Sequence, residues 1–255
     1  KNLKRFRIRV TIIENLNQEE QMKEIELYGD GIGKVSYVQH VGDDKMIANA
    51  ARVSFGQDNT KPLTKKDKGL IKYLIQHRHT SPFEHNSITF MFEVPMFVRS
   101  QHMRHRTWAY NEISRRYTEI DLKFYEPKAF RTQHESNRQA SNLDGLIDPV
   151  IMPRFADTYI KSSDAMVAFH KHALDLFNHL IAKGVCREQA RGVLPQNLYA
   201  KYYGTVNLSN LLKFIDLRTH EGAQWEIQRT AEACLDIASE IWPYSVGAYR
   251  ELRGS

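Results

Sequence analysis

Residues 87–94 carry the pattern that constrains the fold most, with an apolar residue at every second position. These apolar residues are Ile88, Phe90, Phe92 and Val94. Because side chains of a strand point alternately to its two faces, the pattern predicts a strand with one buried face, and Pro95 ends it. Residues 7–14 and 35–41 predict two further strands, and residues 197–206 predict an extended segment.

Helical patterns surround these strands. Thr64 begins a predicted capping box, and Asn207 can cap another helix. The predicted helices cover residues 43–53, residues from 64 onward, 96–105, 157–183, 188–193, residues from 207 onward, and 223–242. Pro243 ends the last of them. Residues 119–155 predict a polar surface excursion. Because no repeat or linker divides the chain, residues 1–255 are predicted to form a single α+β domain.

The charge distribution favours an anionic small-molecule ligand. The formal net charge is +6, and residues 99–116 contain five arginines, no lysine and one acidic residue, Glu112. Arginine holds phosphate and carboxylate groups through paired hydrogen bonds, whereas a general basic surface more often includes lysine. No segment is long and apolar enough to span a membrane. Cys186 and Cys234 have no disulfide or metal-site spacing, which favours a reducing, cytoplasmic location.

An arginine-rich motif carries the strongest indication of function. Residues 104–106 read Arg-His-Arg, and after seven residues Ser114, Arg115 and Arg116 follow. The aromatic residues among and beside them are Trp108, Tyr110 and Tyr117. Arginines beside aromatic rings suit a site that holds phosphate and stacks a planar ring, so the motif predicts a nucleotide or flavin site. The alternative is the basic end of a helix followed by a solvated turn.

Residues 79–85 form a second polar cluster. Its simplest interpretation is a capping box for one helical turn, with Ser81 as N-cap, Pro82 at the first helical position and Glu84 two residues later. A metal site is the rival interpretation, because three histidines lie close in sequence: His77, His79 and His85. Their spacing matches no common zinc arrangement and no cysteine contributes, so no metal is predicted.

The arginine motif is similar, at every fixed position, to the signature of flavin-dependent thymidylate synthases. Four further stretches resemble the same family, namely residues 51–55, 79–85, 190–195 and 223–228, and the likeness runs from about residue 49 to residue 228. The chain departs from the family pattern at three positions. Ser209 stands where many members have arginine, Lys213 where asparagine or histidine is common, and Arg115 where glycine is frequent.

The resemblance implies a central antiparallel sheet packed with helices, and a homotetramer whose active sites draw on several subunits. It implies methylation of dUMP at C5 to give dTMP, with 5,10-methylenetetrahydrofolate as carbon donor, NADPH as reductant and FAD as cofactor. The implied dUMP-binding residues are Gln101, Arg104, Glu112, Ser114, Arg115, Arg116, Arg191 and Arg218. The implied FAD-binding residues are His79, Ser81, Glu84, Arg104, His105, Arg106, Glu112, Asn207 and Lys213. The implied catalytic residue is Arg218, which would polarise the uracil.

The implied residues also have ordinary structural interpretations. Arg191 alone would be a surface arginine, and Arg218 alone would be a favourable charge at a helix C-terminus. Two other functional classes stay open. One is another flavin or nucleotide enzyme on the same fold. The other is a basic nucleic-acid-binding protein, which predicts arginines spread along one face and an affinity that falls steeply in salt. The preferred interpretation includes neither a nucleic-acid nor a membrane partner.

Overall fold

The structure, a computed structural model, describes residues 23–53, 56, 62–114 and 122–254. The strand predicted at residues 7–14 lies outside the described residues. The helices are α1 (Asp44–Val53), α2 (Lys65–Gln76), α3 (Met96–His102), α4 (Ser162–Ala182), α5 (Arg187–Ala190), α6 (Leu208–Arg218), α7 (Trp225–Ile241) and α8 (Pro243–Arg253). The strands are β1 (Glu24–Glu26), β2 (Lys34–Val41), β3 (Ser87–Pro95), β4 (Ala109–Glu112), β5 (Phe130–Gln133), β6 (Ser141–Ile147), β7 (Val150–Ile151), β8 (Ile160–Lys161) and β9 (Tyr199–Asn207).

Five antiparallel strands form the central sheet, in the order β1-β2-β3-β9-β4. β9 returns along the whole of β3, with Ser87 opposite Asn207 and Pro95 opposite Tyr199. We call the two ends of this strand pair the Asn207 end and the Tyr199 end of the sheet. A strand rises roughly 3.4 Å per residue, so the two ends lie about 27 Å apart along β3. The predicted α+β fold with a central antiparallel sheet is confirmed.

The predicted buried face of β3 is also confirmed. Its four alternating residues, Ile88, Phe90, Phe92 and Val94, are each at most 1% exposed. Helix α7 packs against β2, α3 and α6, and Ile237 and Trp242 join the same core. Burying one side chain of this size contributes about 1.5–3 kcal/mol, so this layer of rings and branched chains holds the helices on the sheet. None of the described helices has the length and apolar character needed to cross a bilayer.

Two predicted helix starts are correct because short-range hydrogen bonds define them. The Thr64 backbone N–H donates to Oδ2 of Asp67 over 2.7 Å, and the Asp67 N–H donates back to Oγ1 of Thr64 over 3.3 Å. Oδ1 of Asn207 accepts from the Asn210 N–H over 2.9 Å at the start of α6. Both caps satisfy backbone donors that a helix leaves unpaired in its first turn.

The capping prediction at Ser81 is wrong. Residues Ser81–His85 form a 3₁₀ turn that starts one residue earlier than the capping pattern requires, so Thr80 is the N-cap. No side chain makes a capping hydrogen bond there, and Ser81 and Glu84 are exposed. Pro82 lies inside the turn, where its missing N–H costs nothing. The polar pattern therefore leaves both side chains available to solvent or a ligand.

Other boundaries differ from those that the sequence predicts. The predicted helix 157–183 begins at Ser162, since β8 precedes it and pairs with β7. The described part of the predicted excursion contains the hairpin of β5 and β6. The helix predicted to run to residue 105 ends at His102. Pro243 does not only end α7, because it is also the first residue of α8, a position that suits proline.

Candidate active site

A cavity of about 630 Å³ opens at the Asn207 end of the sheet. The end of α2, the 3₁₀ turn before β3 and the first turns of α6 form its walls, with the end of α8. Leu74, Phe83 and Leu212 supply apolar surface, and His79 and Lys213 supply polar groups. The structure therefore places two of the residues predicted to bind FAD on one cavity, although 134 positions separate them in sequence.

The donor groups of this cavity fit a flavin. The hydroxyl of Ser209 is buried there and has no hydrogen-bond partner among the described residues. Leaving a buried hydroxyl unpaired costs about 1–3 kcal/mol, which a ligand with its own polar atoms can recover. Apolar walls beside His79, Lys213 and this hydroxyl match a planar ring system with a polar edge.

Arg78 gives the same cavity an unusual backbone turn. The Arg78 N–H donates to the Ile75 carbonyl over 3.1 Å, and the His79 N–H donates to the Leu74 carbonyl over 2.9 Å. This hydrogen-bond pair ends α2 in a left-handed residue, usually glycine, but here Arg78 has φ of 55°. The turn directs the chain so that both Arg78 and His79 line the cavity. No sequence pattern indicated a role for Arg78.

A second cavity, of about 570 Å³, lies at the Tyr199 end of the sheet. Its walls include the start of α3, the end of β4 and the 3₁₀ turn Arg191–Val193. Glu112, Ser114 and Arg191 line it together. Three of the residues predicted to bind dUMP thus meet at one cavity, with an arginine and a hydroxyl suited to a phosphate.

Arg99 belongs to this second cavity and is absent from the predicted site. Its Nη2 forms an ion pair with the Glu112 carboxylate. Its Nε is buried and has no partner among the described residues. An arginine with a donor to spare can hold a carboxylate and still offer a hydrogen bond to an anionic ligand. The arginine-rich composition of residues 99–116 was the signal that could have identified it.

Arg218 joins helices α3 and α6. It is the last residue of α6, as its helix-end interpretation requires. Its Nη2 donates to the Gln101 carbonyl over 3.0 Å, and its Nε donates to Nε2 of His105 over 3.0 Å. Three predicted site residues therefore converge, and the two hydrogen bonds orient the plane of the guanidinium.

Burial and the contact with Arg218 together set the protonation of His105. Nε2 of His105 accepts a hydrogen bond, so the ring must carry its proton on Nδ1. Burial, followed by the positive charge of Arg218, lowers the pKa of His105 from 6.5 to about 4. Burial also lowers the pKa of the Arg218 guanidinium. At neutral pH Arg218 therefore carries a positive charge and His105 is neutral.

Trp108 and Tyr110 of the arginine motif have a structural role, and Tyr117 lies outside the described residues. Trp108 is only 6% exposed, and its ring lies 4.5 Å from the buried His102 ring and stacks on Phe90. Tyr110 donates from its hydroxyl to the carbonyls of His102 and His105 over 2.8 and 3.1 Å. The prediction that these rings belong to a ligand-stacking site is wrong for Trp108, because core packing occupies its ring.

Several predicted site residues line neither cavity. The exposed ones are Ser81, Glu84, Arg104 and Arg106. Asn207 uses its side-chain oxygen to cap α6. Arg115 and Arg116 lie outside the described residues. For these residues, as for those that line a cavity, the assignment to FAD or dUMP stays a prediction.

Comparison with known proteins identifies relatives over most of the chain. A flavin-dependent thymidylate synthase from Thermus thermophilus is 42% identical over 222 residues, which cover 86% of this chain and 76% of that protein. One from Wolbachia pipientis is 36% identical over 219 residues, covering 86% of this chain and 74% of that protein.

A solved structure has a similar fold. The UMP/dUMP methylase PolB from Streptomyces cacaoi, bound with 5-Br dUMP, superposes with a TM-score of 0.73 at 32% identity. The superposition covers 89% of this chain and 97% of that one. Residues 36–244 match the sequence profile of the family described as "Thymidylate synthase complementing protein", a range that includes the arginine motif, His79, Arg191 and Lys213. The chain belongs to this family, and its curated relatives are named flavin-dependent thymidylate synthases.

Proposed function

We propose that the chain is a flavin-dependent thymidylate synthase that converts dUMP to dTMP. In this reaction C5 of the uracil loses a proton and gains a methyl group. The methylene of 5,10-methylenetetrahydrofolate and a hydride that originates from NADPH make up that group, leaving tetrahydrofolate and NADP⁺. A bound FAD supplies the redox chemistry that carries the reducing equivalents. Family membership supports the reaction, and the convergence of Glu112, Ser114 and Arg191 on one cavity supports the substrate.

The cavity at the Tyr199 end would hold the nucleotide phosphate. Arg191 supplies a two-pronged cation, Ser114 a hydroxyl, and Arg99 a spare donor beside Glu112. Because these donors are already in place, they hold the phosphate dianion without having to rearrange during the reaction. Arg218 would contact the uracil and stabilise the negative charge that develops as C5 becomes nucleophilic. His105 beside it stays neutral, so no second cation competes for the base.

The two cavities lie at opposite ends of the central sheet, which bears on assembly. The flavin and the uracil must touch, yet His79 lines one cavity and Arg191 lines the other. The ends are about 27 Å apart along β3, too far for one dUMP molecule to bridge. We infer that each active site combines the Asn207 end of one subunit with the Tyr199 end of another, in the tetramer that the resemblance implies.

Subunit mixing tests this shared site. His79→Ala and Arg191→Ala should each leave little activity. Co-expression of the two variants, each with a different affinity tag, yields mixed oligomers that can be purified through both tags. If a site takes His79 from one chain and Arg191 from another, the doubly purified oligomers contain intact sites and regain dTMP formation. Folded mixed oligomers that stay as inactive as the two variants would exclude the shared arrangement.

The function itself is tested by spectrum and product. Purified protein with FAD should show a flavin absorption spectrum that changes on adding dUMP, and the complete mixture should form dTMP. UMP is the informative second substrate, because the similar solved structure is a UMP/dUMP methylase. A flavin spectrum without a dUMP-dependent product would favour another flavin or nucleotide enzyme. Salt-sensitive DNA binding without flavin would favour the nucleic-acid-binding alternative.

A further inference from the structure

A buried carboxylate outside the two cavities is connected to Gln101 through a side-chain amide. Glu226 is 3% exposed and lies in the first turn of α7. Its Oε2 accepts from Nε2 of Gln224 over 3.0 Å, and Oε1 of Gln224 accepts from Nε2 of Gln101 over 2.5 Å. Arg218 donates to the main-chain carbonyl of the same Gln101.

The carboxylate fixes the direction of both amides. An ionised carboxylate can only accept hydrogen bonds, so the Gln224 amide must turn its NH₂ toward Glu226 and its oxygen toward Gln101. Gln101 must then offer its own NH₂ to that oxygen. Oε1 of Gln101 is left as an acceptor, and no described residue donates to it. This polarity follows from the chemistry of Glu226 alone.

The excursion between β4 and α4 supplies the cation and the hydroxyl that pair with Glu226 and hold it in place. Nη2 of Arg131 on β5 lies 2.8 and 2.9 Å from the two oxygens of Glu226, and its guanidinium lies 5.3 Å from the Trp225 ring. The Tyr125 hydroxyl donates to Oε1 over 3.1 Å. A buried carboxylate is stable only when it is paired and hydrogen-bonded in this way.

We propose that Glu226 and Gln224 are positioning residues that make Gln101 present a hydrogen-bond acceptor to the pyrimidine nucleotide. The proposal rests on the proposed function, in which Arg218 contacts the uracil, and on the assignment of Gln101 to dUMP that the resemblance implies. The donor on the nucleotide that Gln101 accepts from is either the N3–H of uracil or the 3′-hydroxyl of the deoxyribose. Uracil and cytosine differ at N3, which donates in uracil and only accepts in cytosine, so the fixed amide can also act in base selection.

We call the hydrogen-bonded chain from Glu226 through Gln224 to Gln101 the relay. Gln224→Met breaks the relay without removing the buried ion pair between Glu226 and Arg131. The two side chains are similar in size, Glu226 keeps Arg131 and Tyr125, and the Gln224 side chain makes no capping bond to α7. Calorimetry of dUMP binding to the flavin-loaded enzyme should show a Kd raised about 5- to 20-fold. Flavin content and reduction by NADPH without dUMP should be unchanged. Tyr125→Phe removes a hydrogen bond to the same carboxylate outside the relay, and should leave the Kd within about twofold.

Binding of dCMP identifies the donor. If Gln101 reads N3–H, Gln224→Met narrows the preference for dUMP over dCMP, because the freed amide can turn to donate. If Gln101 accepts from the 3′-hydroxyl of the deoxyribose, both nucleotides lose affinity by the same factor. A dUMP Kd in Gln224→Met equal to that in Tyr125→Phe would overturn the proposal. The wild-type enzyme run alongside tests the proposed function separately, since dUMP binding and dTMP formation there do not depend on the relay.

Discussion

Nε of Arg218 donates to Nε2 of His105 over 3.0 Å, across 113 positions of sequence. The bond requires an imidazole lone pair, so it exists only while His105 is neutral. The low pKa of His105, about 4, keeps it neutral under ordinary conditions. The pair thus carries a single positive charge and links the end of α6 to the arginine motif.

Acid should destabilise the protein in the window that this pKa defines. In the unfolded chain His105 takes up a proton near pH 6.5, whereas in the folded chain it does so only near 4. The unfolded state binds more protons between these values, so the free energy of unfolding falls as pH decreases through the window. After allowance for the partial exposure of His105, its contribution to the free energy of unfolding is about 1–3 kcal/mol. Urea unfolding at several pH values should show a flatter profile for His105→Gln, and equal slopes for both proteins would contradict the assignment.

Arg218→Ala should separate the helix-end role from the catalytic one. A charge at a helix C-terminus contributes about 0.3–1 kcal/mol, so the fold and the flavin should be retained. A charge contact made in the transition state is worth about 10²–10³ in rate, so dTMP formation at saturating dUMP should fall by at least about 10²-fold. Flavin reduction by NADPH should fall much less. Arg218→Lys should restore little, because lysine lacks the planar fork. Near-normal product formation by Arg218→Ala would leave only the helix-end role.

Asp67 should be among the most costly residues to truncate. Its side chain is fully buried. Burial alone would raise its pKa, but hydrogen bonds from the Thr64 N–H, Arg52 and Lys45 outweigh it and hold the pKa well below the usual range. Asp67→Ala leaves two cations unpaired and opens the capping box, so unfolding should cost about 3–5 kcal/mol less. Glu251→Ala breaks the exposed ion pair with Lys72 and should change stability by less than about 1 kcal/mol. Similar losses in the two variants would contradict the buried network.

Substitution of two glycines by alanine should change the stability of the protein in opposite directions. A Cβ on Gly204, in β9, would lie 2.8 Å from Cε2 of Phe92 and 3.2 Å from the Trp108 ring. Gly204→Ala should therefore destabilise the protein by about 1–3 kcal/mol. Gly69 lies in α2, and a Cβ added there would meet no other side chain within 4 Å, so Gly69→Ala should stabilise by about 0.5–1 kcal/mol. Denaturant midpoints measure both, and a stabilising Gly204→Ala would mean that the Phe92 and Trp108 rings can move aside.

Residues that act over a few positions could be predicted from the sequence. The buried face of β3 follows from alternation, and the caps at Thr64 and Asn207 follow from side chains that reach backbone groups three residues away. The arginine motif indicated a nucleotide or flavin site because its residue types alone suit that chemistry. Proline at 243 was ambiguous, since it stops one helix and suits the start of the next.

The tertiary structure decided which residues meet. Strand pairing turned residues 109–112 into β4 and directed Glu112 and Ser114 toward Arg191, whereas core packing withdrew Trp108 from any ligand. The relay from Glu226 to Gln101 spans 125 positions, and no periodicity links residues at that separation. Local propensity acts through a chain's near neighbours, but a site depends on distant side chains that only the packed sheet and helices bring within hydrogen-bond distance.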